Sequence, residues 1–108
     1  MKIAVDSNDG INIASPFNTF HNYMVFEFNE KNKLINHDDK LKLVKSIDIT
    51  ENIERELHDC SAVISHCLNR PLFNNLRRSG VDVYITFKDK VDDALDQYFK
   101  DEFIHKFH

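Results

Sequence analysis

Tryptophan is absent from the 108 residues, and glycine, proline, cysteine and methionine occur only twice each. So few glycines and prolines exclude a loop-rich scaffold, because tight turns draw heavily on those two residues. Two cysteines are too few for a disulfide framework, so Cys60 and Cys67 are expected as thiols in a reducing compartment. No apolar run approaches the roughly 20 residues that a membrane-spanning helix needs. The opening Met1-Lys2-Ile3-Ala4-Val5-Asp6 meets a charge at once, unlike the apolar segment of a secretory signal. A cytoplasmic protein with no membrane partner is expected. An excess of basic charge is also missing: 14 Lys and Arg stand against 18 Asp and Glu, for a formal charge of −4. Phosphate-tracking surfaces need a basic patch. The one compact basic cluster, Arg70, Arg77 and Arg78, is thin, so no nucleic-acid partner is expected.

Hydrophobic residues make up 42% of the chain and charged ones 30%, an ordinary globular mixture. Residues 1–108 are expected to form a single domain, long enough to bury roughly two-thirds of the surface exposed on unfolding. Nine Phe and three Tyr point to an aromatic core. Six histidines are more than this length predicts, a hint of metal chemistry. His37, His105 and His108 read as surface scatter.

Residues 2–5 read as a first strand, its consecutive Ile3, Ala4 and Val5 fitting burial on both faces. Residues 7–10, Ser-Asn-Asp-Gly, carry turn chemistry. In a second strand over residues 23–28, Met24, Phe26 and Phe28 alternate with Tyr23, Val25 and Glu27, which puts the even positions toward the core. A third, half-exposed strand spans residues 41–47, after a polar turn, and antiparallel pairing of the two is expected. Thr50 can cap a helix over residues 52–58. A fourth strand over residues 61–65 precedes a helix with Asn69 as N-cap, Pro71 in its first turn and Gly80 as its left-handed stop. A fifth strand covers residues 81–87. Asp89 is expected to cap a last helix whose apolar stripe is Val91, Ala94, Leu95, Tyr98, Phe99 and Phe103. The order β-β-β-α-β-α-β-α is that of an α/β, ribonuclease-H-like fold: one mixed five-stranded sheet with helices on its faces.

Three blocks carry a family resemblance. The first is Met1-Lys2-Ile3-Ala4-Val5, the turn at Asp9-Gly10, and Ser15-Pro16 before an aromatic strand. The second runs through Asp59-Cys60-Ser61-Ala62-Val63-Ile64 to Leu76-Arg77-Arg78-Ser79-Gly80-Val81-Asp82-Val83-Tyr84. Val91, Ala94, Leu95 and Tyr98 form the third. Together they resemble the dinitrogenase iron-molybdenum cofactor biosynthesis family, that of the NifX and NafY-type accessory proteins and the C-terminal domain of NifB. The resemblance implies a ribonuclease-H-like fold without nuclease activity. It also implies a non-catalytic accessory role, in which an iron-sulfur or molybdenum-containing cluster, or its precursor, is bound for storage or delivery. Where the family has Gly-Gly-Ile-Gly after the fourth strand, this chain has His66-Cys67-Leu68-Asn69. Where the family has Ser-Pro-His-Phe-Gly, the nearest match is Thr19-Phe20-His21. The segment between the third strand and the first helix is trimmed to Ser46 through Thr50. Ligation by side chains therefore replaces a glycine-lined backbone nest.

His66 and Cys67 leave the carboxyl end of the fourth strand, where open α/β sheets bind ligands. If the first strand lies beside the fourth and parallel to it, Asp6 ends at the same edge. His21, at the start of the antiparallel second strand, sits there too. His21, His66, Cys67 and Asp6 are thus the expected cofactor-binding residues, with His66, Cys67 and His21 as metal ligands. Thiolate with imidazole suits zinc, Cu(I) or an iron-sulfur centre. Adjacent residues in a strand point apart, so the backbone must turn there. Cys60 reads as packing, since seven residues at about 3.3 Å each place it roughly 20 Å from Cys67. Paired carboxylates for two-metal nuclease chemistry are missing around Asp6. Glu27 lies at another strand position, and the acidic residues Asp92, Asp93, Asp96 and His37-Asp38-Asp39 read as solvated surface. Two alternatives remain open. One is a metal-free module that docks on a cofactor-assembly partner through the third strand, guarded by Lys40, Lys42 and Lys45. The other is a mononuclear zinc-binding domain.

Overall fold

In a computed structural model the chain has a mixed α/β architecture, described for residues 1–17, 22–28, 40–48 and 53–106. The elements run β1 (Lys2–Asp6), β2 (Asn22–Phe28), β3 (Lys40–Asp48), α1 (Ile53–Leu57), β4 (Ala62–Ser65), α2 (Arg70–Arg78), β5 (Asp82–Ile85) and α3 (Val91–Lys106). The strands lie in the order β3-β2-β1-β4-β5. β2 pairs antiparallel with both β1 and β3, whereas β4 pairs parallel with β1 and with β5. The carboxyl ends of β1, β4 and β5 and the start of β2 therefore share one rim.

Both faces of the sheet are covered. Ile3, Val5, Met24, Phe26, Phe28, Ala62 and Ile64 pack against Val91, Ala94, Leu95, Tyr98 and Phe99 of α3. Ala4, Tyr23, Val25 and Val63 pack on the other face against Leu57 of α1, Leu76 of α2, Cys60 and Val81. This corrects the expectation for β2: the odd positions Tyr23 and Val25 are as buried as the even ones. Alternation of apolar with polar residues marks a strand with one wet face, and β2 has none at Tyr23 or Val25 because α1 and α2 cover it. Aromatic edges reinforce the α3 side, Phe28 meeting Phe99 and Tyr84 meeting Tyr98 in T-shaped pairs. Tyr98 also donates to Asp82, and Tyr84 to Asp101, fastening α3 to β5.

Capping matches the sequence closely at α2. The Asn69 side chain accepts from the Leu72 N–H at 2.9 Å, and Pro71 occupies the first turn. At the other end Gly80 adopts φ +87°. Its N–H reaches the Arg77 carbonyl and the Val81 N–H reaches that of Leu76, the paired bonds of a Schellman stop. The start of α3 differs from expectation. Lys90, not Asp89, precedes the first helical residue, and its carbonyl accepts the Ala94 N–H. Asp89 instead offers its carbonyl to Ile13, and the Val91 N–H bonds Ile11, tying the helix start to the β1–β2 loop. β5 is shorter than expected, running from Asp82 to Ile85. Thr50, His37-Asp38-Asp39 and the turn at residues 29–32 lie outside the described residues.

Leu95 has no exposed surface, whereas Phe17 is 93% exposed. Leu95→Ala is expected to cost about 2–5 kcal/mol by leaving a cavity between α3 and the sheet. Phe17→Ser should stay within about 0.5 kcal/mol. Chemical denaturation of the two variants checks the contrast.

Candidate functional site

Ser65 ends β4, and its side chain shapes the loop at residues 65–67. Two positions after Val63, it shares the α1/α2 face of the sheet with Asp6, two after Ala4. The Ser65 hydroxyl lies 3.1 Å from Asp6 Oδ2 and 2.9 Å from the Cys67 carbonyl, so its one proton serves two acceptors. Its oxygen accepts the Cys67 N–H at 3.2 Å. These local bonds fold the backbone back and end the strand alternation. His66 and Cys67, which would point apart in a strand, consequently line the same groove. Its volume is about 360 Å³, and Leu68, Arg70, Phe73, Asn74 and Ile85 complete the wall.

The two donors are held differently. His66 is half-buried, and its Nδ1 lies 2.8 Å from the Thr86 carbonyl oxygen. A carbonyl only accepts, so Nδ1 carries a proton, and in the neutral ring the lone pair then sits on Nε2. That is the arrangement in which histidine ligates metals, with the second nitrogen anchored by a backbone oxygen. Thr86 is itself fixed: it is buried, and its N–H bonds the Ser65 carbonyl at 2.9 Å. Cys67 is exposed and free of any disulfide. Cys60 is buried in the α1/α2 packing, as expected.

Asp6 departs from expectation. It is 2% exposed and does not line the groove. It lies behind the loop, where its carboxylate accepts the Ser65 hydroxyl proton. His21 lies outside the described residues. Among the described residues no group of three or more His, Cys, Asp and Glu stands close enough to hold a metal ion.

Sequence reasoning missed the positioning residues. Tyr23 is buried beside Asp6, Ser65 and Cys67; burial, then the nearby Asp6 charge, pushes its hydroxyl well above the ordinary tyrosine range. The spacing Ser65-x-Cys67, a hydroxyl two residues before the backbone it bonds, was the available signal. Asp9 stiffens the adjoining rim. Its carboxylate accepts from the N–H groups of Ile11 and Asn12, each at 2.8 Å, and from the Asn12 side chain. Those bonds hold it far below the usual carboxylate range. Asn8 in turn accepts the Asn22 N–H, joining this loop to the start of β2.

The family model described as dinitrogenase iron-molybdenum cofactor matches residues 1–101. The chain belongs to that family. A search of curated proteins finds no match. The family is one involved in handling the iron-molybdenum cofactor, which is consistent with an accessory role.

The raised tyrosines give this region a pH signature. Tyr84 is shifted upward as well, by burial and then by the Asp101 carboxylate that accepts its hydroxyl proton. An unfolded chain releases these protons near pH 10, before the folded one does. Folding stability should therefore fall as pH rises above about 10, where the unfolded state binds fewer protons. Replacing both residues by Phe is expected to flatten that fall, measured as urea unfolding between pH 8 and 11.

Proposed function

We propose that this protein is a non-catalytic accessory protein that binds an iron-sulfur or iron-molybdenum type metallocluster, or its precursor, and hands it on within a cofactor-assembly system. Cys67 and His66 are the direct ligands in this reading, and His21 is a third donor from the start of β2. Asp6 orients the loop instead of ligating. We read the whole chain as one domain of ribonuclease-H-like topology, working in the cytoplasm.

The observation that carries the reading is the His66 Nδ1 contact with the Thr86 carbonyl. In the neutral ring it puts the proton on Nδ1 and the lone pair on Nε2, in a side chain that shares a groove with an exposed thiol. Thiolate and neutral imidazole are the donors that iron-sulfur species take. Arg70, on the same wall at the start of α2, adds positive charge for an anionic cargo. Family membership supports the same cargo class. A groove open to solvent suits reversible capture and release.

Anaerobic reconstitution with iron and sulfide should give a visible absorption band. Cys67→Ala together with His66→Ala should remove it without loss of the fold, because Cys67 is exposed and His66 only half-buried. An unchanged band in the double variant overturns the ligand assignment.

A further inference from the structure

We infer that the groove beside His66 and Cys67 admits its metal as a complex with a small organic thiol that also carries a carboxylate, the thiolate staying on the metal and the carboxylate meeting Arg70. This deepens the cargo reading above, on which it rests, by naming the form in which a precursor arrives. Four donors surround a metal of the kind that thiolate and imidazole select. His66, Cys67 and His21 are three of them in that reading, so one position stays open. An open position takes an exogenous ligand. The groove wall decides what body that ligand can have.

That wall is mixed. Leu68, Phe73 and Ile85 give it apolar surface, and Arg70 gives it a cation. A bare metal–sulfide species is charged and has no hydrocarbon to set against Leu68, Phe73 and Ile85, so contact there loses hydration without return. A short carbon chain gains from the same contact. Of the 18 Asp and Glu in the chain, none is among the described residues that line the groove. In a chain of formal charge −4, a wall with Arg70 and no carboxylate is a local site for an anion. Guanidinium pairs with carboxylate through two parallel N–H bonds. The volume of about 360 Å³ lies near the lower end of the range for small-molecule sites, about 300–1,000 Å³. It suits a metal with one small ligand. Thiolate is the fitting head group, because a soft donor set selects a metal that keeps soft ligands. On coordination the thiol gives up its proton to water, and no electron moves.

Equilibrium dialysis of the full chain against cobalt(II) under argon tests the inference, with mercaptopropionate, mercaptoethanol or propionate supplied in turn. Native mass spectrometry counts what stays bound. The expected result is one cobalt and one mercaptopropionate retained per chain. Arg70→Gln, at an exposed position, should fold normally. It should lower the ratio of mercaptopropionate to mercaptoethanol retained by roughly fivefold. Wild type and variant meet the same solution species, so that ratio reads the groove and not the cobalt–thiol equilibria of the buffer. Cobalt bound with no thiol retained overturns the inference and leaves the carrier reading standing. So does a ratio untouched by Arg70→Gln, or propionate retained as well as mercaptopropionate. Failure of both cobalt uptake and cluster reconstitution overturns both readings.

Discussion

Parallel pairing of β1 with β4 is the constraint on which the site depends. It sets Ile3, Ala4 and Val5 beside Ala62, Val63 and Ile64 in the middle of the sheet, where every one of these residues is fully buried. Parallel neighbours deliver their carboxyl ends to the same rim, so Asp6 and Ser65 finish side by side. Their contact, one hydroxyl shared between a buried carboxylate and the Cys67 loop, converts strand register into loop conformation. A hydrogen bond to a charged carboxylate is worth more than the roughly 1 kcal/mol net of an ordinary one. The register and the loop are thus coupled: moving either one breaks the contact between Asp6 and Ser65.

The second fixed point is Thr86. Its N–H holds the end of β4 through Ser65, and its carbonyl holds the His66 ring. One residue therefore transmits the β4–β5 alignment to the imidazole. The energy of the His66 bond is small, yet it decides which nitrogen carries the proton, and that decides whether the ring is a donor or a ligand. Cys67 needs no such anchoring. Its exposure gives it access, while the loop bonds of Ser65 give it direction.

Much of this was legible in the sequence, and the exceptions have physical reasons. The β-β-β-α-β-α-β-α order, the Asn69 cap and the Gly80 stop are local signals, carried by hydrophobic period and by residues with few conformational options. His66 and Cys67 could be set at a strand end for the same reason. Asp6 was misjudged because strand ends show where a residue sits and not what its side chain bonds. A short carboxylate beside a serine on the neighbouring strand turns inward, and only the paired register reveals that serine. The start of α3 was misjudged at Asp89 because a tertiary contact, the bonds to Ile11 and Ile13, overrides the local capping preference. Burial of Tyr23 and Val25 was hidden because alternation reports one wet face, and here helices cover both.

The departure of this chain from its family at residues 66–69 also finds a rationale in the hydrogen bonds. A glycine-rich loop binds an anion through backbone N–H groups that converge and stay free. Here the Cys67 N–H is taken by the Ser65 hydroxyl, and the Leu72 N–H by the Asn69 side chain. Those donors are spent on shaping the loop and capping α2. What the loop offers outward is side-chain chemistry: an exposed thiol, and an imidazole whose proton is already committed to Thr86. A backbone nest discriminates by charge and size, whereas thiolate and imidazole discriminate by metal. In the function proposed above, His66 and Cys67 in place of glycines would shift recognition from the anionic envelope of a cargo to the metal atoms within it.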